Sequence, residues 1–185
     1  MLLYLALILS YKCNINEQMK KLNIKQNMQR LALSSRISSK WRPIRITLNY
    51  DFLEGKRNYP YTCKNVGQVI EEIGVVCEAN DIITEKQISA IKGTLNNVVD
   101  FLSHTLKVQS VLDPIKVEID DENKLEFNNT DLVLIVTSQK IDGALASAGP
   151  RMFEDTYRRT IVGIVEFNPS TTPEEAVSEN DWNDK

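Results

Sequence analysis

Asp131-Leu132-Val133-Leu134-Ile135-Val136-Thr137 reads DLVLIVT, and it decides the fold. Residues 132–136 are five apolar side chains in succession. A strand buried on one face alternates apolar with polar; an unbroken apolar run marks a strand covered on both faces. This segment is therefore a central strand of a covered sheet. Moving outward, Ile115-Lys116-Val117-Glu118-Ile119 alternates and reads as half-buried. So does Ile44-Arg45-Ile46-Thr47-Leu48-Asn49-Tyr50, with Pro43 at its first residue, where a missing N–H is tolerated. Residues 161–167 (IVGIVEF) form a further strand that stops at Asn168-Pro169. The small-residue stretch 143–150 suits a tight loop or a short helix. Residues 51–80 hold Gly55, Pro60, Gly67 and Gly74 and read as loop, with a short apolar piece at 69–76.

One long helix precedes the central strand. Thr84 and Gln87 have the spacing of a capping box, in which hydroxyl and amide each satisfy a free backbone N–H. Ile88, Ile91, Leu95, Val98, Leu102 and Leu106 follow at steps of three or four and line one face through about Val108. The order is strand, helix, strand, strand, strand. It predicts an α+β fold, a sheet packed against one long helix.

Composition excludes more than it names. The 185 residues include one histidine, His104, and three cysteines. A catalytic zinc takes about three protein ligands, usually with two or more His, so His104 cannot build such a site. A Ser–His–Asp triad survives the count, but no GxSxG context supports it. GxxxxGK[ST], GxGxxG, CxxC and HExxH are also missing. His104 reads either as a ligand or proton shuttle, or as a side chain at the negative end of the helix dipole. The catalytic and metal-ligand sets read from this chain are both empty.

The net charge of −3 hides an asymmetry. Residues 1–45 carry nine basic groups and one acid, leaving 13 basic and 24 acidic groups elsewhere, a net of −11. The basic part has few aromatics to stack on bases, which argues against nucleic acid. Residues 1–10 (MLLYLALILS) are too short to span a bilayer, which needs about 20 apolar residues. They fit the roughly 7–15-residue core of a secretory signal peptide. Residues 1–13 are thus expected to be a signal peptide for the secretory pathway, leading to an extracellular or cell-surface location. A mitochondrial leader and a cytosolic helix remain alternatives. Residues 14–40 read as a basic leader or pro-segment, with an amphipathic helix at 15–33 and a polar linker at 34–40. Residues 170–185 read as an acidic, flexible tail. Cys13 lies in or near the leader. Cys63 and Cys77 read as a disulfide or as two buried thiols. Asn128-Asn129-Thr130 is a glycosylation sequon, whereas Pro169 disqualifies Asn168.

Particular residues within this order resemble the leishmanolysin family of zinc metalloendopeptidases. They are Trp41-Arg42-Pro43-Ile44-Arg45-Ile46, the helix ending Leu106-Lys107-Val108, residues 130–137 (TDLVLIVT), and Arg159-Thr160-Ile161-Val162-Gly163 leading to Phe167-Asn168-Pro169. The resemblance covers residues 41–169 and is similar to the amino-terminal half of a zincin, a mixed sheet against one long helix. The placement of Cys63 and Cys77 ahead of the helix is also similar to relatives. The resemblance implies proteolysis of peptide or protein substrates, zinc in the full-length family and a link to cell adhesion. It implies that HExxH belongs after the Asn-Pro, beyond the 16 residues that follow Pro169, so the chain is expected to be truncated and inactive. No zinc ligand carries over, and membrane association would rest on missing regions. An edge strand in such proteases runs along the extended substrate, and Ile161, Val162, Gly163, Ile164, Val165, Glu166 and Phe167 are the candidate edge. The alternative function is a secreted, non-catalytic peptide- or protein-binding domain. Departures from the family pattern are Thr160 for Pro, and Arg151 for Cys, with no partner cysteine in residues 121–129.

Overall fold

The computed structural model describes residues 36–120 and 123–175. The signal-peptide, basic-helix and Cys13 readings, and most of the tail, lie outside them. The strands are β1 (Ile37–Pro43), β2 (Ile46–Asn49), β3 (Val69–Ile70), β4 (Val75–Val76), β5 (Lys107–Val111), β6 (Ile115–Glu118), β7 (Lys124–Phe127), β8 (Leu132–Ser138), β9 (Ala146–Phe153) and β10 (Thr160–Phe167). A 3-10 turn covers Ala79–Asp81, and the one long helix, α1, covers Glu85–Thr105. The fold is α+β, as the element order predicts.

The main sheet runs β2-β8-β10-β9. β8 is parallel to both β2 and β10, and β9 is antiparallel to β10. The DLVLIVT strand therefore has a strand on each side and a layer on each face. On one face Val133 and Ile135 join Val162, Ile164, Ile115, Val117, Phe52 and Tyr59. On the other, Val136 packs with Ile91 and Leu53, flanked by Leu48, Ile88, Leu95 and Phe167. Its apolar run is explained by these two cores.

α1 starts where its capping box predicts. The Gln87 N–H donates to Thr84 Oγ1 at 3.2 Å, and the Thr84 N–H donates to Gln87 Oε1 at 3.0 Å. The apolar stripe is used unevenly. Ile91 is buried and Ile88 and Leu95 pack on the sheet, while Val98, Phe101 and Leu106 stay exposed. The helix ends at Thr105 rather than Val108, because Lys107 enters β5.

Other readings are corrected. Residues 34–40 are not a plain linker, since β1 begins at Ile37 and pairs antiparallel with β5. Main-chain hydrogen bonding makes that strand, so its polar sequence hid it. The boundary at 40/41 falls inside β1, and Pro43 ends β1 instead of opening the next strand. The stretch 143–150 is neither a pure loop nor a helix: Gly143 turns at φ +70°, and from Ala146 the small residues form β9. β7, also polar in part, pairs with β6 and went unread. The loop at 51–80 is largely as read, with a β3–β4 hairpin in the 69–76 piece. Cys63 and Cys77 form a disulfide across it, with Cα atoms 5.6 Å apart.

Asp131 ties these parts together. Its carboxylate, 0% exposed, accepts the Arg45 backbone N–H at 3.0 Å, Arg45 Nε at 2.9 Å, Arg45 Nη2 at 3.0 Å and the Val111 N–H at 2.7 Å. Burial pushes this carboxyl's pKa upward, but the Arg45 hydrogen bonds, with those from the Arg45 and Val111 N–H groups, outweigh it and hold the group below the ordinary aspartate value. A lowered folded-state pKa stabilises above the unfolded pKa of about 3.9, and that stability is lost as pH falls through the folded value. Asp131→Ala should destabilise the fold by about 1–3 kcal/mol at neutral pH in a denaturant titration, because the Arg45 and Val111 N–H groups lose their acceptor while the half-buried Arg45 guanidinium can still meet water. Its stability should also decline less steeply in acid than that of the parent.

The disulfide closes a loop with a sequence separation of 14. Cys63→Ala/Cys77→Ala should cost about 3 kcal/mol by chain entropy, read as a lower thermal midpoint without reductant. The parent should fall toward the same value when reduced.

Candidate substrate edge and the chain exit after β10

The strand read as the substrate edge is not an edge. Residues Ile161, Val162, Gly163, Ile164, Val165, Glu166 and Phe167 lie in β10, hydrogen-bonded to β8 on one side and β9 on the other. Both rows of their backbone groups are used, so no peptide can add there. Among the described residues, the open edges of the main sheet are β2 and β9. β9 lies beside β10 and antiparallel to it, with Pro150 removing one donor from the strand. The edge was missed because Ala146-Ser147-Ala148-Gly149-Pro150 has neither alternation nor β-branched residues.

β9 and β10 are locked by a buried polar group. Glu166 on β10 is 8% exposed; its Oε1 accepts the Tyr59 hydroxyl at 2.7 Å and its Oε2 accepts the Ser147 hydroxyl at 2.8 Å. Burial, then the Glu166 charge, pushes the Tyr59 phenol well above its ordinary pKa. It stays a donor, and β9 is pinned to the β10 side chain as well as to its backbone. At Gly163, an added Cβ would meet Leu134 Cδ2 at 3.1 Å and the Gly149 carbonyl oxygen at 3.5 Å. A side chain there would press between β8 and β9.

The chain leaving β10 is held just as firmly. The Asn168 Nδ2 donates to the Ile141 and Ala144 carbonyls at 2.7 and 2.9 Å, and the Asn168 N–H donates to the Leu145 carbonyl. Gln87, the capping residue of α1, donates from Nε2 to the Pro169 and Thr172 carbonyls at 2.7 and 2.8 Å. One side chain thus caps α1 and anchors residues 169–172 beside it. The sequence shows the cap but not this second use, which joins residues 82 and 85 positions apart.

The remaining candidates are placed singly. Asn128 is exposed in the turn after β7, and Thr130 of its sequon is buried, its Oγ1 accepting from the Thr47 hydroxyl at 3.0 Å. His104 is exposed at the end of α1, with Nδ1 2.8 Å from the Asp100 carbonyl oxygen and 3.6 Å from its carboxylate.

Sheet, open edge and anchored exit describe an α+β protein with the antiparallel strand β9 beside a fixed chain exit, and comparison with known families gives its class. The leishmanolysin peptidase family model matches residues 8–177. The chain belongs to the leishmanolysin family, a family of zinc metallopeptidases. The match reaches beyond residues 41–169 at both ends and takes in the whole of the basic segment 14–40. A search of curated proteins finds no match.

The described residues do not fit the zinc of that family. No three His, Cys, Asp or Glu among them are grouped to hold a metal. His104 stands alone, and Cys63 and Cys77 are bonded to each other. No chemical step through zinc is derived from them.

Gln87→Leu should remove both the cap acceptor and the anchor. A loss of about 1–3 kcal/mol is expected, with amide exchange accelerated at Thr171 and Thr172 before the main sheet opens. If those amides exchange at the parent rate, the anchor is not what holds them.

Proposed function

We propose that this chain is the substrate-presenting portion of a leishmanolysin-type metallopeptidase, and that residues 1–185 by themselves hydrolyse no peptide bond. The observation that carries the reading is the open antiparallel edge of β9, fixed by Glu166 and placed next to a chain exit anchored by Asn168 and Gln87. An extended peptide adds to such an edge through main-chain hydrogen bonds. The donor set supports the second half: one histidine cannot assemble a His-rich zinc site. The Cys63–Cys77 disulfide supports a setting in the secretory pathway, outside the reducing cytosol. Among the described residues no helix is long and apolar enough to cross a membrane. The second reading, a secreted peptide- or protein-binding domain without catalysis, rests on the same edge.

Purified protein incubated with zinc and an unstructured peptide should show no cleavage above a mock preparation. Chelator-sensitive cleavage would refute the inactivity. Under the same conditions an extended peptide should slow amide exchange along β9 while leaving β10, already paired on both sides, unchanged. If β9 is not protected by any peptide of a diverse set, the edge is not a peptide site.

A further inference from the structure

We infer that the amino-terminal end of β10, with the β1–β5 ribbon beside it, is a docking surface for an anionic phospholipid membrane. Three separate segments converge there. In the ribbon, Trp41 pairs with Gln109, Arg42 with Val108 and Pro43 with Lys107. The β9–β10 turn reaches the same ribbon, because Arg159 Nη2 donates to the Gln109 carbonyl at 3.2 Å. That turn is rigid: the buried Glu154 carboxylate accepts the N–H groups of Thr156, Tyr157 and Arg159 at 2.7, 2.7 and 3.2 Å.

The side chains presented are unusual for this protein. Trp41 is 68% and Tyr157 65% exposed, two large aromatics with no core to fill. All four cations nearby are exposed: Lys107 lies on the Trp41 face of the ribbon, Lys40 and Arg42 on its other face, and Arg158 follows Tyr157 in the turn. Among the described residues none of these four cations has a carboxylate within salt-bridge distance, whereas Arg36, Lys92 and Lys140 all do. The turn contributes two acids, of which Glu154 is buried and only Asp155 is exposed. The protein as a whole is acidic at −3, so the patch opposes the general charge.

Exposed Trp and Tyr among unpaired cations match the interfacial zone of a bilayer, where amphipathic rings lie at headgroup depth and cations meet anionic lipid. A nucleic acid would use the cations but needs a groove to follow, and the patch is a ribbon edge and a turn. Docking here puts the membrane at the start of β10 and the Asn168 exit at the other end, roughly 23 Å away for seven steps of about 3.3 Å.

The test uses the full chain in a Trp182→Phe background, so that fluorescence reports Trp41 alone. Phosphatidylcholine vesicles with phosphatidylserine should shift Trp41 emission to the blue, and salt should reverse the shift. Pure phosphatidylcholine should give little. Lys40→Gln/Arg42→Gln/Lys107→Gln should weaken partition by about 100-fold, at about fivefold per cation, with an unchanged melting curve. Trp41→Ser should weaken partition onto the anionic vesicles, read by cosedimentation, with an unchanged melting curve. Vesicle binding that leaves Trp41 emission unmoved, or that the triple substitution leaves intact, assigns the binding to the basic segment 1–35 and overturns the inference. So does binding to an oligonucleotide with none to vesicles.

Discussion

A single carboxylate with no contact to water organises this fold. Asp131 stands at the start of the central strand and receives four hydrogen bonds, three from Arg45 before β2 and one from Val111 at the end of β5. The Asp131 N–H returns a bond to the Arg45 carbonyl. A buried charge left without partners costs several kcal/mol, so the carboxylate dictates that the Arg45 segment and β5 meet at this point. The parallel register of β2 on β8, with Ile46 beside Leu132, starts one residue beyond. The β1–β5 ribbon hangs from the same junction.

From that junction the main sheet runs toward a second fixed point. β8 and β10 proceed in parallel, and the chain leaves β10 through Asn168, whose amide is held by the 141 and 144 carbonyls. Gln87 ties this exit to the first turn of α1. The two ends of the sheet therefore have different characters. One carries the buried ion pair with the basic, aromatic surface beside it. The other carries the anchored exit and, along β9, an unpaired backbone edge. Glu166 links that edge to the rigid interior through Ser147.

Legibility in the sequence followed the origin of each element's stability. DLVLIVT and the capped helix are written in side-chain patterns that a few adjacent residues complete, so both were readable. β1, β7 and β9 owe their existence to main-chain pairing, β1 with the distant β5 and β7 and β9 with the neighbouring β6 and β10, and sequences such as Ser38-Ser39-Lys40 or Ser147-Ala148-Gly149 carry no trace of it. The misplaced edge has the same cause. Residues 161–167 are strand by any local criterion, but whether a strand is flanked once or twice is a property of the sheet. At the candidate site, Asn168-Pro169 and the Thr84–Gln87 spacing were visible as motifs, whereas their meeting was not.

The sequence by itself determined the α+β class, the central strand, the helix start, the kinship with leishmanolysins and the lack of histidines for a zinc site. Periodicity, capping chemistry and composition are local or additive, and need no partner to be read. The tertiary structure alone decided which strand is the open edge, that Gln87 anchors the exit of β10, and that Trp41, Tyr157 and their cations share one end. The edge follows from which strands pair with β10, and the rest from hydrogen bonds between distant residues, as in Arg159 to Gln109, 50 positions apart, and Gln87 to Pro169, 82 apart. No window along the chain contains both partners.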